Sequence, residues 1–407
     1  MKLKKLQLQN FRCFKSVELE FNKQMNCIAG VNGAGKTTIL SAICKSMLIF
    51  INKNRLGKYE KKKYALNASD VYADKQTTSL KESVTAVSNL EFSANGKDES
   101  IEHSFKKQGG FGEYIASKYK GSGFEDAKNA PIFAFYSINR RNVSSKNKDT
   151  YDGIFSAWDN VSLLNFDCFF NWFKDELLRE YQEKDKNSSY VSRELSVVKR
   201  AISNFFGESI EIRVYRETLI AIKNGVEILF SNLSDGEKSV LLLLSDIARR
   251  LVISNPNLEN PLDGSGVVLI DEIEMHLHPS WQRKICKTLK ESFPNCQFVI
   301  TTHSPQVLGE LKREEILLLN DFVVSRVFLA SYGRSSNDIL DEILDTDGDG
   351  LSQNVEISKR LDEVGRLVEL EKFDEAKELI LQIEKEAGGE LHETLKYKTE
   401  IELLEVL

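Results

Sequence analysis

The sequence predicts an α/β fold built on a parallel sheet with helices on its faces, and three observations carry that expectation. From residue 235 onward helical and apolar-strand patterns alternate, as "DGEKSVLLLLSDIARRLVIS", "GVVLIDEI", "PSWQRKICKTLKESF" and "CQFVITTHS". Alternation of this kind belongs to a sheet whose strands are buried on both faces. Earlier, the apolar strand "QMNCIAG" runs into the glycine turn of "GVNGAGKT" and then into a helix. Finally, "VVLIDE" ends an apolar strand in two carboxylates, at the edge where open parallel sheets bind ligands.

Taken in order, residues 1–150 form the first part of this head. "LKKLQLQNFRCFKSVELEF" alternates apolar and polar residues and predicts two short strands around a bend. "KTTILSAICKSMLIFI" has helical spacing, residues 53–130 are polar and glycine-spotted with a strand pair around "TAVSNLEFSANGKDESIEHSF", and "APIFAFYSINRR" is a further strand. Residues 151–206 predict a short helical insertion, "FDCFFNWFKDELLREYQEK" and "VSRELSVVKRAISNFF", interrupted by the polar "DKNSSY". Residues 207–336 complete the head. There "SIEIRVYRETLIAIKNGVEILF" predicts strands with a turn at Asn224-Gly225, and "EILLLN" and "SRVFLAS" follow as strands after the short helix "PQVLGEL". Residues 337–407 read as a helical extension, broken at "DTDGDG" and at Gly388-Gly389.

Composition narrows the class. A chain of 407 residues with 41% hydrophobic and 29% charged residues is that of a globular protein large enough for one α/β core plus additions. No apolar run reaches the ~20 residues that span a bilayer, and the start lacks a signal-peptide core. The six cysteines (Cys13, Cys27, Cys44, Cys168, Cys286, Cys296) form no C-x-x-C pair, which predicts reduced thiols and a cytoplasmic location. The net charge of −6 hides an asymmetry: residues 337–407 hold 21 acidic and 8 basic residues, leaving 40 acidic and 47 basic in 1–336. A mildly basic body suits phosphates and an acidic extension suits protein contacts, while plain solvation of charged helices explains the same numbers.

The chemistry lies in four motifs. "GVNGAGKT" fits G-x(4)-G-K-[ST], whose chance occurrence in a chain this long is on the order of one in a hundred. Its backbone N–H groups can curl around a polyphosphate at a helix N-terminus, with Lys36 on the β and γ phosphates and the Thr37 hydroxyl on Mg²⁺. Asn32, Gly33, Gly35, Lys36, Thr37 and Thr38 are therefore the candidate nucleotide ligands. Asp271 is the second candidate metal ligand, and Glu272 the group that orients or deprotonates the attacking water. "FVITTHS" brings His303 to another strand end, where an imidazole can bond the γ-phosphate or the water. "NLSDGEKSV" sets Ser234 as an N-cap and Gly236 for close approach at the start of a long helix, a second anion site. One nucleotide needs only one such site.

Together "NFRCF", the phosphate loop, "LSDGEKS", "LIDEIEMHLHP" and "TTHSP" resemble the ATP-binding-cassette (ABC) ATPases of the SMC-like branch. That resemblance implies an ABC-type P-loop head, homodimeric through an ATP sandwich and assembling into higher oligomers. In it the signature serine and glycine, here Ser234 and Gly236, close over the γ-phosphate of a second subunit. Glu237 stands where transporters have glutamine and Asp235 where they have a small residue, which matches the SMC and overcoming-lysogenization side. The family also puts Arg12 near the nucleotide and gives a glutamine loop, for which Gln76 and Gln108 are the candidates.

The insertion at 151–206 is too short for an SMC arm, and no TOPRIM nuclease follows the head. "FAFYSINRR", "FFNWFKDELLREYQ" and the acidic helices from Asn337 instead resemble the PtuA-type ATPases of Septu and retron-linked antiphage systems. Those assemble with an HNH nuclease, PtuB, and in some systems with a reverse transcriptase and its RNA–DNA product (msDNA). An SMC-like DNA-repair clamp and a non-hydrolysing nucleotide-dependent scaffold are the alternatives. Three further features stay with two readings each. His276 and His278 of "MHLHP" read as a loop at the dimer interface ahead of a metal pair, because spacing supplies no third ligand. Asp345 to Glu356 reads as an acidic interhelical turn, with a Ca²⁺ loop as the alternative. The basic run 53–64 suits either phosphate-backbone contact with nucleic acid or a solvated loop.

Overall fold

The structure is a computed structural model that describes residues 1–56, 68–72, 83–94, 96–108, 111–121, 129–138, 166–207, 210–216, 218–326, 331–333, 339, 355–370, 372–387, 389 and 392–406. Two compact units divide the chain, Met1–Ile339 and Leu340–Leu407.

In the first unit the central sheet contains β3 (Met25–Ala29), β7 (Ile132–Tyr136), β11 (Gly266–Ile270), β12 (Cys296–Thr302), β13 (Ile316–Asn320) and β14 (Val323–Arg326). Their spatial order is β14-β13-β3-β12-β11-β7, parallel from β13 to β7 with β14 antiparallel at one edge. Strands β3, β7, β11 and β12 are buried at every residue, as near-continuous runs of Val, Ile, Phe and Leu require. One face carries Ile28, Phe133, Phe135, Val267, Leu269 and Val299 into a core shared with α1 (Lys36–Leu56). A second, antiparallel sheet closes that core: β1 (Lys2–Phe11), β2 (Phe14–Glu20), β4 (Ser83–Ala94), β5 (Lys97–Gln108) and β6 (Phe111–Lys120), in the order β2-β1-β4-β5-β6. The strand β6 is not anticipated from sequence; a register shift between Ser104 and Phe105 breaks the alternation across the β5–β6 pair.

Helices α2 (Phe166–Lys186) and α3 (Arg193–Phe206) are those expected in 151–206, and both pack on α4 (Asp235–Ser254). A three-stranded antiparallel sheet precedes α4: β8 (Ile210–Tyr215), β9 (Thr218–Lys223) and β10 (Val226–Leu229). Asn224 and Gly225 turn β9 into β10 with φ of 51° and 80°, the two positive values a tight hairpin needs. The β13–β14 hairpin uses the same device at Asp321 and Phe322, φ 46° and 62°, without glycine. For that reason the strand expected in "SRVFLAS" begins earlier, at Val323, and its residues 327–330 lie outside the described ones.

Helix α4 is buried almost all round from Val240 to Val252, and it encloses a charged cluster. Asp246 accepts from Arg249 Nη2 at 2.7 Å, from Arg250 Nε at 2.7 Å and from the Tyr136 hydroxyl at 2.9 Å. Burial pushes this carboxyl up, but Arg250 and Arg249 outweigh it and hold it at about 2, below the ordinary 3.8. A depressed carboxylate contributes stability above its unfolded value and loses it as pH falls through the folded one. Acid unfolding is therefore expected to draw on this cluster between about pH 4 and pH 2. Asp246→Ala leaves Arg250 buried without its carboxylate and is expected to cost about 3–5 kcal/mol in denaturant titration.

The second unit holds α7 (Val355–Glu369), α8 (Phe373–Ala387) and α9 (His392–Val406), numbered after α5 (Pro279–Ser292) and α6 (Pro305–Leu308) of the first. Leu361, Val364 and Val368 on α7 and Ala376, Ile380 and Ile383 on α8 repeat at helical spacing and, with Ile401 of α9, make its core. Gly365 lets α9 approach: a Cβ there would lie 3.0 Å from the Tyr397 hydroxyl. Lys398 pairs with Glu384 at 2.8 Å across the acidic surface. Residues 345–354 of the acidic loop, Gln76, most of the basic run 53–64 and the side chain of Gln108 lie outside the described residues.

Candidate functional site

The parallel register brings three strand ends to one edge. Ala29 of β3 pairs with Thr302 of β12, and Ile270 of β11 pairs with Ile300 of β12, so residues 30, 271 and 303 all follow at the C-terminal side. The loop from Gly30 to Thr37 leaves β3 tightly, because a Cβ on Gly30 would sit 2.3 Å from the Leu319 carbonyl oxygen. Gly35, at φ 104°, rests on Phe14 and Cys13, whose atoms would lie 2.7 and 2.9 Å from an added Cβ. Asn32 and Gly33 are exposed above it, and Thr38 N–H donates to the Gly35 carbonyl at 3.0 Å.

Lys36 is 6% exposed and folds back over the loop, its Nζ donating to the carbonyls of Gly30 at 2.6 Å and Val31 at 2.9 Å. Burial draws its pKa down while Glu274, Glu272 and Asp271 oppose that shift, so the ammonium stands in an acidic surround. The Thr37 hydroxyl meets Asp271 at 2.9 Å. Asp271 is buried, its Oδ1 accepts from Thr301 Oγ1 at 2.6 Å, and its N–H donates to the Tyr136 carbonyl at 2.8 Å. Glu272 has φ 46°, a left-handed conformation that costs a non-glycine residue about 1 kcal/mol or more. Its N–H is fixed on Thr301 Oγ1 at 2.8 Å.

His303 donates from Nδ1 to Glu274 Oε1 at 3.0 Å, and the same oxygen accepts the His303 backbone N–H at 2.7 Å. Those bonds to Glu274 raise the imidazole pKa against the opposing effect of burial. Glu274 itself is pushed up by burial and brought below the ordinary carboxylate range by His303 and Thr302. Arg12 has φ 48° and pairs with Asp70 through Nε at 2.9 Å; Lys45 pairs with the same buried carboxylate. The described bonds of Arg12 thus lead to Asp70, while its neighbours Cys13 and Phe14 are the residues under the loop.

Ser234 caps α4 in a reciprocal capping box: its Oγ accepts from Glu237 N–H, and Glu237 Oε2 accepts from Ser234 N–H at 2.9 Å. Lys223 neutralises Glu237 at 2.7 Å and, with Ser234, holds its carboxyl low against burial. A Cβ on Gly236 would lie 2.5 Å from the His276 carbonyl oxygen, so this helix start rests on the loop after the acidic pair. His276 sits at φ 64°, and His278 caps α5 by accepting from Ser280 N–H. A groove of about 730 Å³ opens there, lined by residues 234–237 and 276–278 with Trp281 and by none of the phosphate-loop residues.

The structure therefore brings Lys36, Thr37, Asp271, Glu272 and His303 to one edge and gives Ser234, Gly236 and Glu237 a surface of their own. Sequence reasoning missed Glu274, Thr301 and Tyr136. For Glu274 a signal existed, a third acid two residues beyond a buried strand's acidic pair; for Thr301 and Tyr136 only the sheet register reveals the contact.

A phosphate loop, a strand-end acidic pair and a strand-end histidine on adjacent parallel strands, with the capped helix α4 ahead of the last two in the chain, define the class: an ATPase with an ABC-type P-loop head. Residues 25–309 match the family described as "AAA domain, putative AbiEii toxin, Type IV TA system", and the chain belongs to it. It is 29% identical to a "Retron Vc95 probable ATPase" of Vibrio cholerae serotype O1 biovar El Tor, over 88% of this chain and 81% of that protein. It is 27% identical to a "Retron Ec83 probable ATPase" of Escherichia coli, over 98% of this chain and 86% of the other. A "Septu protein PtuA" of Bacillus thuringiensis is 25% identical, over 85% and 84%. Among the described residues no helix is long and apolar enough to cross a membrane.

Proposed function

We propose that the chain is the ATP-hydrolysing subunit of an antiphage defence complex, working as paired heads that gate a separate nuclease. The observation that carries this is the presence of two phosphate-type elements on one head, the loop at 30–37 and the Ser234 cap, with no described bond between them. A second copy then supplies the Ser234 element over the nucleotide held by the first, in a two-fold arrangement.

Within each half, Asn32, Gly33, Gly35 and Thr38 line the backbone cradle and Lys36 turns from the Gly30 and Val31 carbonyls to the phosphates. A carboxylate and a hydroxyl 2.9 Å apart, the first braced by Thr301, suit a hard cation that keeps most of its waters, so Asp271 and Thr37 would hold Mg²⁺. When bound, that ion neutralises the charge between the β and γ phosphates. Glu272 orients and deprotonates the attacking water, and His303 holds the γ-phosphate. Arg12, tied to Asp70, steadies the turn beneath the loop.

The relatives' names, retron and Septu ATPases, support a defence system; the family resemblance of the sequence adds the proposed partners, an HNH nuclease of the PtuB type and, in a retron, a reverse transcriptase and its RNA–DNA product. The unit Leu340–Leu407 is the surface proposed for oligomer or partner contacts. Co-expression of the tagged chain with an HNH nuclease of the PtuB type, followed by affinity capture, is expected to recover both in fixed ratio. Failure to co-purify with or without ATP contradicts the gating role.

A further inference from the structure

The site as proposed leaves one buried acid without a task. Glu274 is 6% exposed and follows the strand-end pair by two residues, where a carboxylate in an apolar surround is costly unless it is bonded. Its described side-chain bonds go to the end of the histidine strand: Oε1 takes both the His303 backbone N–H and Nδ1. A carboxylate on Nδ1 does two things to an imidazole. It fixes the ring plane and makes Nδ1 the protonated nitrogen, which turns Nε2 outward. The His303 side chain is half-exposed, so the outward nitrogen belongs to the accessible part of the site.

We infer that Glu274 is a positioning residue for the hydrolytic step: bonded to Nδ1, it orients His303 with Nε2 toward the nucleotide, where the imidazolium form donates Nε2–H to a phosphate oxygen. The inference deepens the ATPase reading above and rests on it. Neutral His303 with its proton on Nδ1 presents only a lone pair at Nε2 and repels a phosphate oxygen; the imidazolium presents a donor. The charged groups whose fields reach His303 are Glu274 and Glu272, which favour the imidazolium, and Lys36, which opposes it. Of these Glu274 alone bonds the ring, and its contribution is the largest. The expected sign follows. A histidine whose pKa is raised stays charged to higher pH, so turnover persists below that pKa and fades as pH rises through it.

The test uses the full-length protein with ¹⁵N-labelled histidine. The chain holds five histidines, so His303 is assigned by difference with His303→Gln. In the wild type at high pH the His303 nitrogens are expected to show the Nδ1–H form; the Nε2–H form overturns the inference, and this arm needs no acidic-site variant. In Glu274→Gln, nearly the same shape without charge, the His303 titration midpoint is expected to fall. ATP affinity is expected to stay within about threefold, kcat to drop about tenfold with KM little changed, and the alkaline limb of kcat to move to lower pH with the NMR midpoint. An unchanged midpoint, or a kcat loss with no shift of the limb, overturns the positioning role. If no turnover is measurable in any form, the ATPase reading fails, yet the NMR arms still decide whether Glu274 sets the state of His303.

Discussion

Glu272→Gln is expected to leave ATP bound and to lower turnover by a factor of about 10²–10⁴, the range for losing a positioned general base. The geometry makes the substitution informative. Glu272 follows the candidate metal ligand, and its left-handed backbone donates its N–H to the Thr301 hydroxyl, whereas Glu237 closes a helix cap and Glu274 pairs with His303. Gln keeps the shape and can still orient water, but it cannot take a proton. Phosphate release measured beside nucleotide binding separates the two consequences. An enzyme loses rate and keeps ligand, whereas a nucleotide-dependent scaffold has no rate to lose.

Ser234→Arg is expected to abolish turnover, by about three orders of magnitude or more, while each head still binds ATP. The residue lies in the groove with Gly236 and His276, where a long cation fills the space a partner's phosphates would enter. The cap itself is a smaller matter, about 1 kcal/mol of helix stability, so the fold survives the change. Binding survives because Lys36 and Thr37 make their described bonds to Gly30, Val31 and Asp271, and none to the segment 232–240. Loss of binding in this variant would mean that the signature serves the nucleotide of its own head.

The central sheet was legible because its strands are short, continuously apolar and punctuated by glycine or acid, and the phosphate loop because its glycines recur at a fixed spacing. What was not legible joins residues far apart in the chain. Asp246 is 110 residues from Tyr136, Arg12 is 58 from Asp70 and Glu274 is 29 from the His303 N–H, and no local period encodes such pairs. A hairpin turned at Asp321-Phe322 was missed for a related reason. Left-handed backbone is announced by Asn-Gly at 224–225, and here the sheet imposes it on an aromatic residue. Glu237 taught a different lesson. Ser234 was legible as an N-cap, but only the structure reveals that the Glu237 carboxylate closes a capping box on it and pairs with Lys223.

Mixing two inactive variants measures the composite site most directly. Lys36→Ala removes a phosphate ligand and Ser234→Arg blocks the signature, so each alone is expected to be inert. In a mixed pair one nucleotide meets an intact loop from one copy and an intact Ser234 from the other, and random pairing should restore roughly a quarter of the wild-type rate. Recovery that scales with the mixed fraction is the result the account predicts. Two dead proteins that stay dead when mixed, although they demonstrably exchange subunits, would contradict it.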